Sequence, residues 1–66
     1  MNNKLQIVRK EQGMSITELS RRSGLSRNAI YDIESGRTNP LGTTMYELSR
    51  ALNKRVSEIF FNEDVI

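Results

Sequence analysis

Residues 15–36 constrain the fold of this 66-residue chain more than any other part of it. They contain two short helical patterns, separated by the sequence Ser23-Gly24-Leu25. Ser15 has the side chain of a helix N-cap, and Glu18 three residues later completes the spacing of a capping box. We therefore predict a helix that begins at Ile16 and ends at this break.

A second helical pattern follows the break. Ser26 is a capping residue, and the apolar side chains of Ala29, Ile30 and Ile33 recur at a spacing that places them on one face of a helix. Gly24 opens the turn between the two patterns. Two short helices joined by a tight, glycine-containing turn form a helix-turn-helix unit.

Helical patterns also flank this unit. Asn2 or Asn3 can cap a first helix that ends before Gly13, and Leu5 and Val8 form its inward face. The helices are thus expected at about 3–12, 16–23, 26–35, 43–52 and 56–61, which makes the chain all-α and a single domain over 1–66.

The last two helices are predicted from capping residues and from the spacing of apolar residues. Thr43 or Thr44 can cap the fourth helix, and Thr44 to Glu47 again has the spacing of a capping box. Asn53 is a candidate for a left-handed stop after it. The apolar residues assigned to the core are Met45, Leu48 and Leu52 in the fourth helix, and Val56, Ile59 and Phe60 in the fifth.

Composition excludes several classes of function. The chain has no cysteine and no histidine, and we find no glycine-rich phosphate loop and no carboxylate cluster, so an enzyme, a metal site and a cofactor are not expected. The N-terminal sequence M-N-N-K-L-Q lacks the apolar run of a signal peptide, and no stretch approaches a membrane span. We expect a cytoplasmic protein without a membrane partner or a small-molecule ligand.

The net charge of +2 is unevenly distributed. Residues 1–37 carry seven Lys and Arg against four Asp and Glu, whereas residues 38–66 carry three against four. The basic half contains the helix-turn-helix pattern, as a surface that faces phosphates requires. Ordinary surface charge is the alternative interpretation.

Short motifs run from Leu5 to Phe60. They are Arg9 in the first helix, E-L-S at 18–20, G-L-S at 24–26, I-x-x-I-E-x-G at 30–36, T-N-P at 38–40 and L-S-R-A-L at 48–52. With these motifs the chain resembles the lambda-repressor/Cro-like (Xre-type) helix-turn-helix regulators. The resemblance implies a compact five-helix DNA-binding domain whose recognition helix, the second of the unit, enters the major groove.

Matched to the family, the residues that face the bases are Arg27, Asn28, Tyr31 and Asp32. Arg27 can donate two hydrogen bonds to guanine, Asn28 can form the equivalent pair with adenine, and Asp32 can accept from cytosine N4. Tyr31 can use its hydroxyl on a phosphate or its ring against a base edge. The alternative for Arg27 and Asp32 is a surface ion pair, which a spacing of five residues in a helix disfavours.

The expected phosphate contacts lie at helix N-termini and in the loop after the recognition helix. Ser15, Thr17 and Ser26 lie at the two N-termini, where partial positive charge favours anions. The resemblance implies two more phosphate contacts, Arg37 and Asn39, because in the family the loop after the recognition helix runs beside the DNA backbone.

Two further expectations concern ion pairing and assembly. The resemblance implies a salt bridge between Arg9 and Glu34, which we interpret as mainly structural. The apolar tail residues Phe61, Val65 and Ile66 are either a frayed terminus or a dimer contact. A two-fold homodimer is favoured, and it places two recognition helices roughly 34 Å apart on a palindromic operator.

The most favoured function is therefore a sequence-specific DNA-binding transcriptional regulator, most simply a repressor, that binds double-stranded operator DNA as a homodimer. The alternative is a protein-interaction module of the same fold, such as an antitoxin that binds a protein partner. Arg27, Asn28 and the basic N-terminal half have no role in that alternative.

Overall fold

The structure, a computed structural model, describes residues 3–61. In that part of the chain the elements are α1 (Leu5–Glu11), α2 (Ile16–Ser23), α3 (Arg27–Glu34), α4 (Gly42–Ala51) and α5 (Val56–Phe60). The predicted all-α class is confirmed, α2 has its predicted bounds, and the other helices differ by one or two residues at their ends. No helix between residues 3 and 61 is long and apolar enough to cross a membrane.

All five helices contribute to one core. α2 packs against α3 and α4, α1 packs against α3 and α5, and α4 packs against α5. The buried apolar residues are Leu5, Val8, Leu19, Ile30, Ile33, Leu48, Leu52, Ile59 and Phe60. Helices of 5 to 10 residues are marginal by themselves, so burial of these side chains supplies most of the stability of each helix.

The start of α1 differs from the prediction in one detail. The N-cap residue is Lys4, which makes no side-chain cap. Asn3, one residue earlier, accepts a hydrogen bond from the Leu5 N–H at 2.9 Å through Oδ1 and donates to the Ile33 carbonyl at 2.9 Å through Nδ2. One amide side chain thus satisfies one N–H group in the first turn of α1 and joins this turn to α3. Asn2 lies outside the described residues.

The predicted capping of α4 by threonine is wrong. The N-cap residue is Leu41, which makes no side-chain cap, and its carbonyl accepts from the Met45 N–H at 2.9 Å. Thr43 and Thr44 therefore lie inside the first turn. Leu41, Gly42 and Thr43 are exposed, so water can satisfy the N–H groups there without a side-chain cap.

Three helices end in the same backbone motif. The N–H groups of Met14, Arg37 and Lys54 donate to the carbonyls of Arg9, Asp32 and Ser49, at 3.0, 2.9 and 2.9 Å. This Schellman arrangement requires a left-handed residue after the helix. Gly36 (φ 78°) and Asn53 (φ 56°) take that conformation after α3 and α4, as predicted for Asn53.

Candidate nucleic-acid interface

The turn between α2 and α3 is held by side chains as well as by its glycine. Gly24 is left-handed (φ 79°). The Ser20 hydroxyl donates to the Leu25 carbonyl, and the Leu25 N–H donates to Ser23 Oγ at 3.2 Å. Leu25 packs against the core. These contacts fix the orientation of α3 relative to α2, which a helix-turn-helix unit requires.

Serine residues cap both helices of the unit. Ser15 Oγ accepts from the Glu18 N–H at 3.0 Å, and Ser26 Oγ accepts from the Ala29 N–H at 3.1 Å. Both serines are exposed. Because each hydroxyl only accepts in the cap, its own proton can still be donated to a phosphate oxygen.

The other half of the predicted capping box at α2 is absent within residues 3–61. The Glu18 carboxylate accepts instead from Arg21 Nη2 at 2.6 Å and from Arg22 Nε at 2.6 Å. These hydrogen bonds lower the pKa of Glu18 to about 2. Arginines three and four residues along a helix are close neighbours of this carboxylate and outcompete the backbone N–H of Ser15 for it.

The outward face of α3 carries the residues that the sequence assigned to the bases. Arg27 and Asn28 are exposed, and 53% of Tyr31 is exposed, whereas Ile30 and Ile33 on the inward face are buried. The Arg27 guanidinium lies 3.4 Å from Thr17 Oγ1 in the first turn of α2. The first turns of α2 and α3 therefore meet at one surface, which brings Thr17 beside the start of α3.

Asp32 and Arg37, which the sequence assigned to a base and to a phosphate, are joined to each other. Arg37 Nη1 donates to Asp32 Oδ1 at 3.1 Å. The two residues are five apart, a spacing at which side chains in one helix do not meet. They meet because the left-handed Gly36 turns the chain back over the end of α3. Asn39, further along this loop, is exposed.

Arg9 and Glu34, the two residues expected to pair, form a bidentate and nearly buried ion pair. Arg9 Nε lies 2.6 Å from Glu34 Oε2, and Nη2 lies 3.2 Å from Oε1. The exposed fractions of the two side chains are 10% and 3%. The hydrogen bond with Glu34 raises the pKa of Arg9, whose Nη1 also donates to the Met14 carbonyl at 2.9 Å. The pair joins α1 to the end of α3.

Two further long-range polar contacts were not predicted from the sequence. Asn3 reaches the Ile33 carbonyl, as described above, and Gln12 Nε2 donates to the Leu52 carbonyl at 2.7 Å. The second contact joins the end of α1 to the end of α4. The partners are 30 and 40 residues apart, and no local pattern indicates either contact.

The residues predicted for a dimer contact are only partly described. Phe61 follows α5 and is 53% exposed. Val65 and Ile66 lie outside the described residues.

The helix-turn-helix family profile HTH_3 matches residues 5–59, which is most of the chain. This chain belongs to the helix-turn-helix transcription regulators of the Cro/C1 type. The family consists of DNA-binding proteins and is not an enzyme family, and its lambda-repressor-like fold is the one described above. α2 and α3 are therefore the two helices that define the family, and α3 is its recognition helix.

Individual relatives agree with this assignment. The regulator is 30% identical over 64 residues to an uncharacterised HTH-type transcriptional regulator of Archaeoglobus fulgidus, across 97% of this chain and 91% of that protein. It is 32% identical over 66 residues to the immunity repressor protein of Bacillus phage phi105, across 100% of this chain but only 46% of the repressor. The crystal structure of the restriction-modification controller protein C.AhdI from Aeromonas hydrophila is similar, with a TM-score of 0.80, 29% identity and 83% coverage of each chain.

Proposed function

We propose that this regulator binds a palindromic DNA operator as a homodimer, with α3 of each copy in the major groove. The observation that carries the proposal is the shared surface at the first turns of α2 and α3, where Arg27 contacts Thr17. Exposed donors from α3 and the N-terminus of α2 then face one ligand. A DNA duplex offers base edges and phosphates to such donors.

Three residues on the outward face of α3 are proposed to contact bases. Arg27 suits guanine O6 and N7, and Asn28 suits adenine N6 and N7. Tyr31, one turn further on, can place its ring against a base edge or its hydroxyl on a phosphate. The Asp32 carboxylate is already hydrogen-bonded to Arg37, so we do not count it among these three base contacts.

The phosphate contacts are proposed to flank α3 on both sides. On one side lie Ser15, Thr17 and Ser26, where hydroxyls and helix N-termini meet. On the other side lie Arg37 and Asn39, both exposed in the loop after α3. Such contacts set the register of the protein on DNA and carry no sequence information by themselves.

The homodimer is proposed from the small size of the surface. A single module makes few phosphate contacts, and two copies on a palindrome double them. Phe61, exposed after α5, is the proposed dimer contact together with Val65 and Ile66. Occupancy of the operator then depends on protein concentration through dimerisation, and a bound dimer beside a promoter represses by blocking polymerase. We propose that the protein acts in the cytoplasm, where its operator would lie.

Selection of bound sequences from a random duplex pool at near-physiological salt tests the proposal. We expect a palindrome whose half-sites lie about one DNA turn apart, roughly 34 Å. The variant Asn28→Ala provides the control, because it should recover a site degraded at one position of each half-site. Weak, salt-sensitive binding without a recovered sequence would contradict sequence-specific DNA binding and favour a protein-interaction module.

A further inference from the structure

Asp32 lies on the outward side of α3, and its carboxylate is held by a cation from the following loop. Arg37 Nη1 donates to Asp32 Oδ1 at 3.1 Å. The side chains are open to solvent, with 75% of Arg37 and 37% of Asp32 exposed. Exposed ion pairs contribute little to the stability of a fold. The position of this pair, beside the proposed DNA surface, points to a role in binding instead.

The backbone at the end of α3 determines where Arg37 lies. The Asp32 carbonyl accepts from Ser35 Oγ at 3.1 Å and from the N–H groups of Arg37 and Thr38 at 2.9 and 3.4 Å. A Schellman motif brings the residue after the left-handed position over the residue five before it. The base of the Arg37 side chain is therefore held over Asp32 whether or not the two side chains interact.

The same motif ends α1 and α4 with different residues. The residues equivalent to Asp32 and Arg37 are Arg9 and Met14 at α1, and Ser49 and Lys54 at α4. Among these three helix ends, only that of α3 places opposite charges at the two positions. A backbone motif common to three helices thus produces an ion pair only beside the proposed DNA surface.

We propose that Asp32 is a positioning residue that orients the Arg37 guanidinium for a DNA phosphate, and that it does not read a base. This inference rests on the proposed function. A guanidinium has five N–H donors, so Arg37 can keep its contact with Asp32 and offer the remaining donors to a phosphate. Restricting a long side chain before binding reduces the conformational entropy that it loses on the DNA.

A double-mutant cycle on the selected operator tests the coupling. Arg37→Ala is measured in the wild type and in Asp32→Ala. We expect the loss of affinity caused by Arg37→Ala to be about three- to tenfold smaller in the Asp32→Ala background, since an unrestrained arginine gains less from the phosphate. Base preference at every operator position stays unchanged in Asp32→Ala. Glu47→Ala, which removes the partner of Arg50 on α4, is the matched control. In the Glu47→Ala background, Arg37→Ala should cause the same loss of affinity as in the wild type.

A second measurement needs no DNA. Nitrogen-15 relaxation at Arg37 Nε should show a lower order parameter in Asp32→Ala than in the wild type. Asp32→Asn keeps an acceptor oxygen and should give an intermediate value. Circular dichroism verifies that each variant is folded.

The outcomes separate the inference from the function on which it rests. Equal losses in both backgrounds, or an unchanged order parameter, overturn the positioning role while operator binding by the wild type stands. A changed preference at one base pair in Asp32→Ala overturns it in favour of base reading. Failure of the wild type to select any sequence overturns the proposed function and the inference together.

Discussion

Two arginine–carboxylate ion pairs at the C-terminal end of α3 differ in how far they are exposed to solvent and in the side of the helix on which they lie. Glu34 pairs with Arg9 at 2.6 Å, and their side chains are 3% and 10% exposed. Asp32 pairs with Arg37 at 3.1 Å, and their side chains are 37% and 75% exposed. The two carboxylates are two residues apart, so the helix turns them to opposite sides.

Burial decides what each pair contributes. Once Arg9 and Glu34 are removed from water, each charge depends on the other, and losing one partner leaves the other buried and unpaired. Water can replace either partner of the exposed pair at small cost. The ion pair on the inward side of α3 thus contributes to the stability of the fold, and the outward side is open to a ligand.

The largest expected effect comes from breaking the buried pair. Glu34→Ala should lower the free energy of unfolding by about 3–5 kcal/mol, because it leaves the Arg9 guanidinium desolvated. Asp32→Ala should change it by no more than about 1 kcal/mol. Urea unfolding monitored by circular dichroism measures both variants.

A matched control distinguishes a lost contact from an unpaired charge. The double variant Arg9→Met with Glu34→Leu removes both charges and keeps apolar volume, so it should be clearly more stable than Glu34→Ala. Equal destabilisation by Glu34→Ala and Asp32→Ala would contradict the contrast between the two pairs.

The next largest effect concerns the outward side of α3. Arg27→Ala should cost about 1–3 kcal/mol of binding free energy on the selected operator and relax the preference at one base pair of each half-site. Its thermal unfolding should match that of the wild type, because Arg27 is exposed. Fluorescence anisotropy with operator variants measures the binding. A uniform loss on all sequences would show that Arg27 contacts a phosphate instead.

A smaller effect is expected from Arg37. Arg37→Ala should weaken binding to operator and random duplex by similar factors, because a phosphate contact is independent of sequence. The slope of log K against log salt concentration should become shallower by about one unit. Anisotropy titrations over a series of salt concentrations measure the slope, and a slope equal to that of the wild type would place Arg37 away from the DNA backbone.

The smallest effect concerns a third carboxylate, Glu18, whose pKa is lowered from its ordinary value of 4.5 to about 2 by Arg21 and Arg22. Between these values the unfolded chain binds more protons than the folded one, so the stabilisation is present above about pH 4.5 and is lost as the pH falls towards about 2. Glu18→Gln should therefore show a smaller loss of stability in acid than the wild type.

Chemical unfolding at a series of pH values measures this difference. Arg21→Gln, which removes the larger of the two influences on Glu18, should give an intermediate pH dependence. Identical curves for all three proteins would show that the exposed cluster does not couple to folding.

Much of the fold could be predicted because its signals are local. Ser15 and Ser26 cap helices through N–H groups three residues away, and the spacing of Ile30 and Ile33 assigns the inward face of α3. One error, the capping box at α2, arose where neighbours compete. Arginines on the next helical turn compete for the Glu18 carboxylate, and this signal was also in the sequence.

The candidate site could be predicted only as separate residues. The family resemblance assigned Arg27, Asn28 and Tyr31 to the bases, and helical periodicity is consistent with their sharing the outward face of α3. The pairing of Asp32 with Arg37 was missed, since it depends on the left-handed Gly36 and not on the spacing within a helix.

The sequence by itself therefore determined the helices, the inward face of α3 and the residues offered to the outward face, because caps and periodicity act between residues close in the chain. Only the tertiary structure decided which side chains meet. Asn3 and Ile33 are 30 residues apart, and Gln12 and Leu52 are 40 apart. Contacts at such separations form only when the packing of apolar faces brings distant helices together, so no local pattern specifies them.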